Sequence, residues 1–183
     1  ARDPQEALSS RPDGAVYLAL RMDDLGGMLR TVFSPANIEM MTAFASPEEA
    51  QGFRLFGSVI AQLPGQSVSL VAGTAADKTP FLQLAASVPE RYRAKLDLVA
   101  AGKATAEDLV TLVLGEGALL LAGAVPPPAL QQGEKGPYYL IENEVAVSAK
   151  DDLLLMTLSS KDLQDALNAL EDGAKRLNLQ RRF

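Results

Sequence analysis

The sequence predicts an α+β fold: a mainly antiparallel sheet with helices packed on one face, ending in a three-stranded meander closed by an amphipathic helix. Three observations predict it. Strand-like runs come in neighbouring groups, at 67–88 and 138–158, instead of alternating singly with helices. Helix signals are grouped too, at 34–63 and 87–114. The stretch 137–177 carries the local signals of a meander and its closing helix in unbroken order.

In that stretch the apolar runs 138–142, 145–149 and 153–158 are divided by Asn143-Glu144 and Lys150-Asp151-Asp152. Short polar breaks between β-prone runs are hairpin signals, and Asn143 is suited to a positive φ. The run Leu153-Leu154-Leu155-Met156-Thr157-Leu158 is apolar in both phases of the alternation, which predicts a strand covered on both sides. Ser159-Ser160-Lys161-Asp162 then opens a helix: a serine hydroxyl can accept an orphan N–H, and an acid suits the positive helix end. Leu163, Ala166, Leu167, Leu170, Ala174 and Leu177 follow at helical spacing on one face.

The earlier chain is read in the same way. Residues 1–14 are polar, hold Pro4, Pro12 and Gly14, and predict a flexible lead-in to a single domain over 15–183. Residues 15–20 predict a strand with Val16, Leu18 and Leu20 on one face. Asp23 or Asp24 caps a short helix toward Phe33, and Ser34-Pro35 starts another with Ile38, Met41 and Phe44 as its stripe. Ser46-Pro47-Glu48-Glu49 is a capping box ahead of a helix that Pro64-Gly65 stops. Residues 67–73 and 81–88 predict an antiparallel pair. Ser87 and Pro89 lead a helix through Tyr92, Leu96 and Val99 to Gly102, and Thr105 to Asp108 is a second capping box. Residues 117–125 predict a buried strand. Pro126-Pro127-Pro128 opens a loop over 126–136, which is also the candidate lobe boundary.

Composition narrows the chemistry. Hydrophobic residues make up 48% of the chain, enough for a core, whereas aromatics are 5% with no Trp, which disfavours ligands gripped by aromatic faces. The net charge of −6 argues against nucleic acid, whose phosphates require Lys and Arg. No run reaches membrane-spanning length. The chain has no His and no Cys, which removes Ser-His triads, thiol nucleophiles, imidazole bases and His- or thiolate-held metals. No cofactor is expected.

The remaining candidates are each weighed against a structural role. Asp151 and Asp152 with Glu142 and Glu144 form the densest acidic cluster, but no cation-loop spacing fits them, so they read as solvated turns. Asp23-Asp24 reads as a cap, because adjacent helical residues do not face each other. Gly115-Glu116-Gly117 lacks the lysine and spacing of a phosphate loop and reads as a helix-to-strand turn. Ser160-Lys161 lacks the S-x-x-K spacing of a Ser-Lys dyad. Met22, Met28, Met40 and Met41 make 22–44 methionine-rich, which suits either an adaptable binding groove or core filling. Tyr138 and Tyr139 are recognition candidates that point to opposite faces of a strand, one toward the core and one toward the surface.

The lead-in Pro12-Asp13-Gly14-Ala15-Val16-Tyr17-Leu18-Ala19-Leu20, followed by Met22-Asp23-Asp24-Leu25, resembles the opening of several uncharacterised families of bacterial exported proteins. The closing strand, its Ser160 cap and the leucine-rich helix are similar as well. The resemblance implies an extracytoplasmic domain, periplasmic or at the cell surface, with a lipid anchor as one option. It brings no catalytic residue. The resulting expectation is a non-catalytic binding domain for a protein or an envelope component. The alternatives are a carrier of an apolar ligand and a His-free enzyme using carboxylates. The sequence does not set the oligomeric state.

Overall fold

The computed structural model describes residues 2–11, 14–43, 45–47, 49–52, 54, 57, 66–116 and 126–177. The frame is a seven-stranded antiparallel sheet. Its strands are β1 (Val16–Met22), β2 (Val68–Thr74), β3 (Pro80–Ser87), β4 (Ala129–Gly133), β5 (Gly136–Ile141), β6 (Val145–Lys150) and β7 (Leu153–Thr157). Their order across the sheet is β1-β2-β3-β7-β6-β5-β4. An N-terminal group and a C-terminal meander therefore meet along β3 and β7. The meander turns match their residues: Asn143 has φ 61° and Asp151 φ 58°, both left-handed.

Five described helices accompany the sheet: α1 (Leu25–Val32), α2 (Pro35–Thr42), α3 (Arg93–Ala100), α4 (Ala106–Leu114) and α5 (Ser160–Glu171). Their starts follow the capping chemistry in the sequence. Ser34 accepts from the Asn37 N–H with Pro35 next to it, and Thr105 and Asp108 bond reciprocally. Ser46 and Glu49 do the same, at 2.8 and 3.3 Å. For α5 the cap is Ser159, one residue before Ser160, and it accepts from the Asp162 N–H at 3.1 Å.

The α+β class, the antiparallel sheet and the helix-closed meander stand as the sequence predicts. The helices expected on one face are divided between both. On one face α3 and α4 bury Tyr92, Leu96, Val99, Leu109 and Leu112 against Tyr139, Val147, Ala149 and Leu154. On the other, α5 buries Leu163, Leu167 and Leu170 against Ala85, Ala146, Leu153 and Leu155. The alternation of β7 explains this. Leu153 and Leu155 point one way and Leu154 the other, and all three are at most 1% exposed, so each face needs its own cover.

Three expectations are corrected. The lead-in is docked: Pro4–Ala7 forms a 3-10 turn, Ala7 and Leu8 are buried, and the Leu177 N–H donates to the Leu8 carbonyl at 2.7 Å. Its polar composition hid two apolar residues, Ala7 and Leu8, that pack between α5 and β2–β3. The loop over 126–136 contains β4, which pairs with β5 from Ala129↔Leu140 to Gly133↔Gly136. Leu130, Gln131 and Gln132 are exposed there, so no burial pattern marked the strand. The closing helix ends at Glu171, because Asp172 leaves helical geometry and its carboxylate caps the turn Gly173–Lys175. Ala174 is thus exposed, while Leu177 returns to a small core with Leu8, Val71 and Phe81. The strand predicted over 117–125 lies outside the described residues.

This packing sets an expectation for the closing helix. Leu167 is 2% exposed, whereas Asp165 stands at the edge of a cleft. Leu167→Asp buries an unpaired carboxyl and should cost about 3–5 kcal/mol. Asp165→Ala should cost under about 1 kcal/mol. Urea midpoints of the two variants will separate clearly if α5 docks as described, and will coincide if it does not.

Candidate functional site

A catalytic site in this chain would be built from charged and hydroxyl groups, since it has no His and no Cys. Asp24 caps α1, accepting from the Gly27 N–H at 2.7 Å, while Asp23 pairs with Arg21 at 3.0 Å. The acidic cluster at the β6–β7 turn is met by the N-terminal segment: the Arg2 N–H donates to Asp152 at 2.7 Å and its guanidinium pairs with Asp151. The Ser148 hydroxyl donates to the Pro137 carbonyl, and Ser160 is the first residue of α5. Gly115, at φ 78°, ends α4, as a helix-terminal glycine does. No three carboxylates converge on a cation position among the described residues.

A cleft of about 400 Å³ lies between the β2–β3 turn and the start of α5, with Arg11, Asp77, Lys161, Asp162 and Asp165 among its lining. The Arg11 side chain is 6% exposed, stacks 4.1 Å over Phe81 and bonds Asp162 at 3.1 Å. The Ser159 hydroxyl donates to the other Asp162 oxygen at 3.0 Å. This carboxylate is committed to Arg11 and Ser159, and Ser159 is committed to the helix cap. Neither oxygen is held ready for proton transfer, so the grouping reads as a structural clamp. Next to it, Gln83 is buried in β3. Its Nε2 donates to the Asp162 carbonyl at 2.7 Å, and its Oε1 accepts from the Ser9 N–H at 3.0 Å. One amide thereby ties together the N-terminal segment, the sheet and α5.

The aromatic candidates are placed by the two-sided packing. Tyr139 is 3% exposed, lies in the core under α3 and α4, and accepts from the Ala104 N–H at 2.7 Å; burial raises its pKa. Tyr138 points to the opposite face, as alternation requires, and packs half-buried beside the α5 core. Both tyrosines serve packing, because helices cover both faces of the meander.

The methionines occupy a different part of the molecule. Residues 23–67 form an excursion between two strands that are sheet neighbours, β1 and β2. It leaves and returns at one point: the Leu25 N–H donates to the Gln66 carbonyl at 3.1 Å, and the Ser67 hydroxyl donates to the Asp23 carbonyl at 3.1 Å. The corner between α1 and α2 is fixed by Asn37, whose Nδ2 donates to the Val32 carbonyl at 2.9 Å. Met22 lies half-buried at the base, paired in register with Val68. Met28, Val32, Met40 and Met41 are exposed, and no side chain of α2 is fully buried. A cleft of about 330 Å³ opens beside the corner, lined by Phe33, Pro35, Ile38, Glu39, Arg54 and Gly57. A Cβ on Gly57 would lie 2.0 Å from the Ile38 Cδ1, so glycine is what permits that close approach.

Large exposed apolar side chains therefore concentrate early in the chain. Val16, Leu18 and Leu20 on β1, and Met28, Val32, Met40 and Met41 on the excursion, are exposed; elsewhere among the described residues only Leu98, Leu130 and Leu158 are. Local composition flagged the methionines, while periodicity assigned Val16, Leu18 and Leu20 to one strand face without showing that the face is open. The tyrosines are not part of this surface, since β5 stands five places from β1 in the sheet order, roughly 24 Å at the usual strand spacing. No family model, curated protein or solved structure matches the chain. No described helix is long and apolar enough to cross a membrane.

The charges at the α5 end give a pH expectation. Glu171 is held by Lys135 and Lys150, which lower its pKa from 4.5 to about 2. A depressed carboxylate pKa stabilises the fold above the unfolded value and loses that contribution as pH falls through the folded one. The window is thus from about pH 4.5 down to about pH 2. Glu171→Gln should flatten this part of the stability profile and leave the slope near neutral pH unchanged. Urea midpoints across the window check it; identical acid limbs would show that the pairs add nothing.

Proposed function

We propose that this chain is a non-catalytic binding domain that engages a protein or envelope component through the helical excursion between β1 and β2. The observation that carries the reading is the exposure of Met28, Val32, Met40 and Met41 on two helices that bury almost nothing of their own. Helices that give so little to the core are supported by their two pinned ends, and their apolar side chains remain available to a partner. Methionine suits such a surface because its unbranched, polarisable side chain adapts to the shape it meets. The cleft beside Phe33, Pro35 and Ile38 supplies a recess for an apolar anchor, with Glu39 and Arg54 at its rim for orientation. An extracytoplasmic location belongs to the same reading, supported by the resemblance of the opening residues to exported families.

The binding reading is also supported by how the carboxylates are used. Those with shifted pKa values, Asp77, Asp108, Glu49 and Glu171, are each shifted down by hydrogen bonds or lysines that hold the charged form. For Asp108 burial opposes that shift, yet Lys95 at 2.6 Å and Thr105 outweigh it. A general acid or base at neutral pH needs the opposite displacement.

The test is capture of a partner from envelope extract by the native protein and by a Met28→Glu, Met40→Glu double variant. The variant should keep the native circular dichroism spectrum and unfolding midpoint, because neither methionine is in a core, and should retain at least tenfold less partner. Equal retention by both proteins would remove the excursion from the interface. Turnover in a broad hydrolase panel that disappears on changing one carboxylate would overturn the non-catalytic reading.

A further inference from the structure

We propose that β1 is the seam of a two-fold homodimer, in which it pairs antiparallel with β1 of a second copy about a dyad at Ala19 and joins the two sheets. This rests on the edge strand, not on the helical excursion, and is independent of the partner-binding reading.

The two sheet edges differ in their protection. The far edge, β4, is five residues long, follows three prolines, and carries Gln131 and Gln132. Leu130 on it lies against Gly102, where an added Cβ would meet Leu130 Cδ1 at 3.3 Å. These are the usual devices that blunt an edge. β1 has none of them. It is seven residues long, without proline, lysine or glycine, and pairs with β2 in unbroken register from Val16↔Thr74 to Met22↔Val68. Beyond it no further strand pairs among the described residues. Its outward face is apolar and open, with Val16 74%, Leu18 67% and Leu20 44% exposed.

The sequence of β1 fits its own reverse. A dyad at Ala19 sets Val16 opposite Met22 of the copy and Leu18 opposite Leu20 of the copy, and the same pairs recur beyond the axis. All of these side chains lie on one face, so the open apolar surfaces of the two copies become continuous. On the other face Ala19 meets its twin, where a small residue lets the strands approach. Arg21 faces Tyr17 of the copy, an aromatic ring and not a like charge. Arg21 is the only charged residue in the strand and is already paired with Asp3 at 2.8 Å and Asp23 at 3.0 Å. A shift by one residue would bring apolar side chains against the opposite face, and a dyad moved to Leu18 or Leu20 would leave fewer residues of the strand paired, so Ala19 at its centre gives the longest pairing. A second copy therefore satisfies the edge's backbone groups and sets its apolar side chains against one another across the seam, the isologous arrangement that closes.

The absence of cysteine makes a direct test possible. Ala19→Cys places a single thiol opposite its twin, within reach of a disulfide. Val16→Cys places a more exposed thiol three residues from the axis, roughly 20 Å from its twin. Under mild oxidation Ala19→Cys should give mostly linked dimer and Val16→Cys little. Sedimentation of the native chain should show a dimer, and Leu18→Lys should sediment as a monomer that keeps the native circular dichroism spectrum, with a midpoint that no longer depends on protein concentration. Linkage of Val16→Cys equal to that of Ala19→Cys would overturn the register. A native monomer at millimolar concentration, or a dimer that survives Leu18→Lys, would overturn the seam.

Discussion

The pairing of β3 with β7 joins everything else. It runs from Gln83↔Thr157 to Ser87↔Leu153, linking positions about seventy residues apart in the chain. Without it the N-terminal strands and the C-terminal meander would each be a small sheet with one poorly covered face. With it, the central strands present leucine and alanine to both sides, and each side recruits helices. The long loop that this contact closes costs entropy, but the cost grows only with the logarithm of loop length. Burying Leu153, Leu154 and Leu155 contributes about 1.5–3 kcal/mol each before that cost is counted.

Around this seam the polar groups act mostly as ties. Gln83 holds the N-terminal segment and the start of α5, Arg11 is stacked on Phe81 and bonded to Asp162, and Arg2 reaches Asp151 and Asp152. These contacts explain why a lead-in of polar composition is ordered against the core. They also give the acids at the β6–β7 turn and at the start of α5 a structural use. The Asp162 carboxylate, bonded to a guanidinium and a hydroxyl, is fixed in place as part of the fold.

The two ends of the sheet have different characters. The meander end is covered on both faces and supplies rigidity. The β1 end carries an open apolar face and the helices α1 and α2, which bury few of their side chains. Segments with few buried contacts open at lower free energy than core elements, and binding surfaces are commonly drawn from them. The partner-binding and self-pairing proposals both place function at this end, on different side chains.

The sequence determined what depends on near neighbours in the chain. Asn143 announced a left-handed turn, Thr105 and Asp108 a capping box, and the run 153–158 a strand covered on both sides. It also excluded imidazole and thiol chemistry outright, because no such residue is present. Tertiary structure decided whatever depends on distant partners. The alternation of Val16, Leu18 and Leu20 reads the same whether a helix covers that face or not, and only the sheet order shows β1 at an edge. Tyr138 and Tyr139 likewise had to point opposite ways, yet only helices on both faces made packing residues of both. Leu130 and Gln131 carried no strand signal, since β4 takes its form from hydrogen bonds to β5 and not from burial. Periodicity records which residues share a face; what lies over that face is set by contacts made far along the chain.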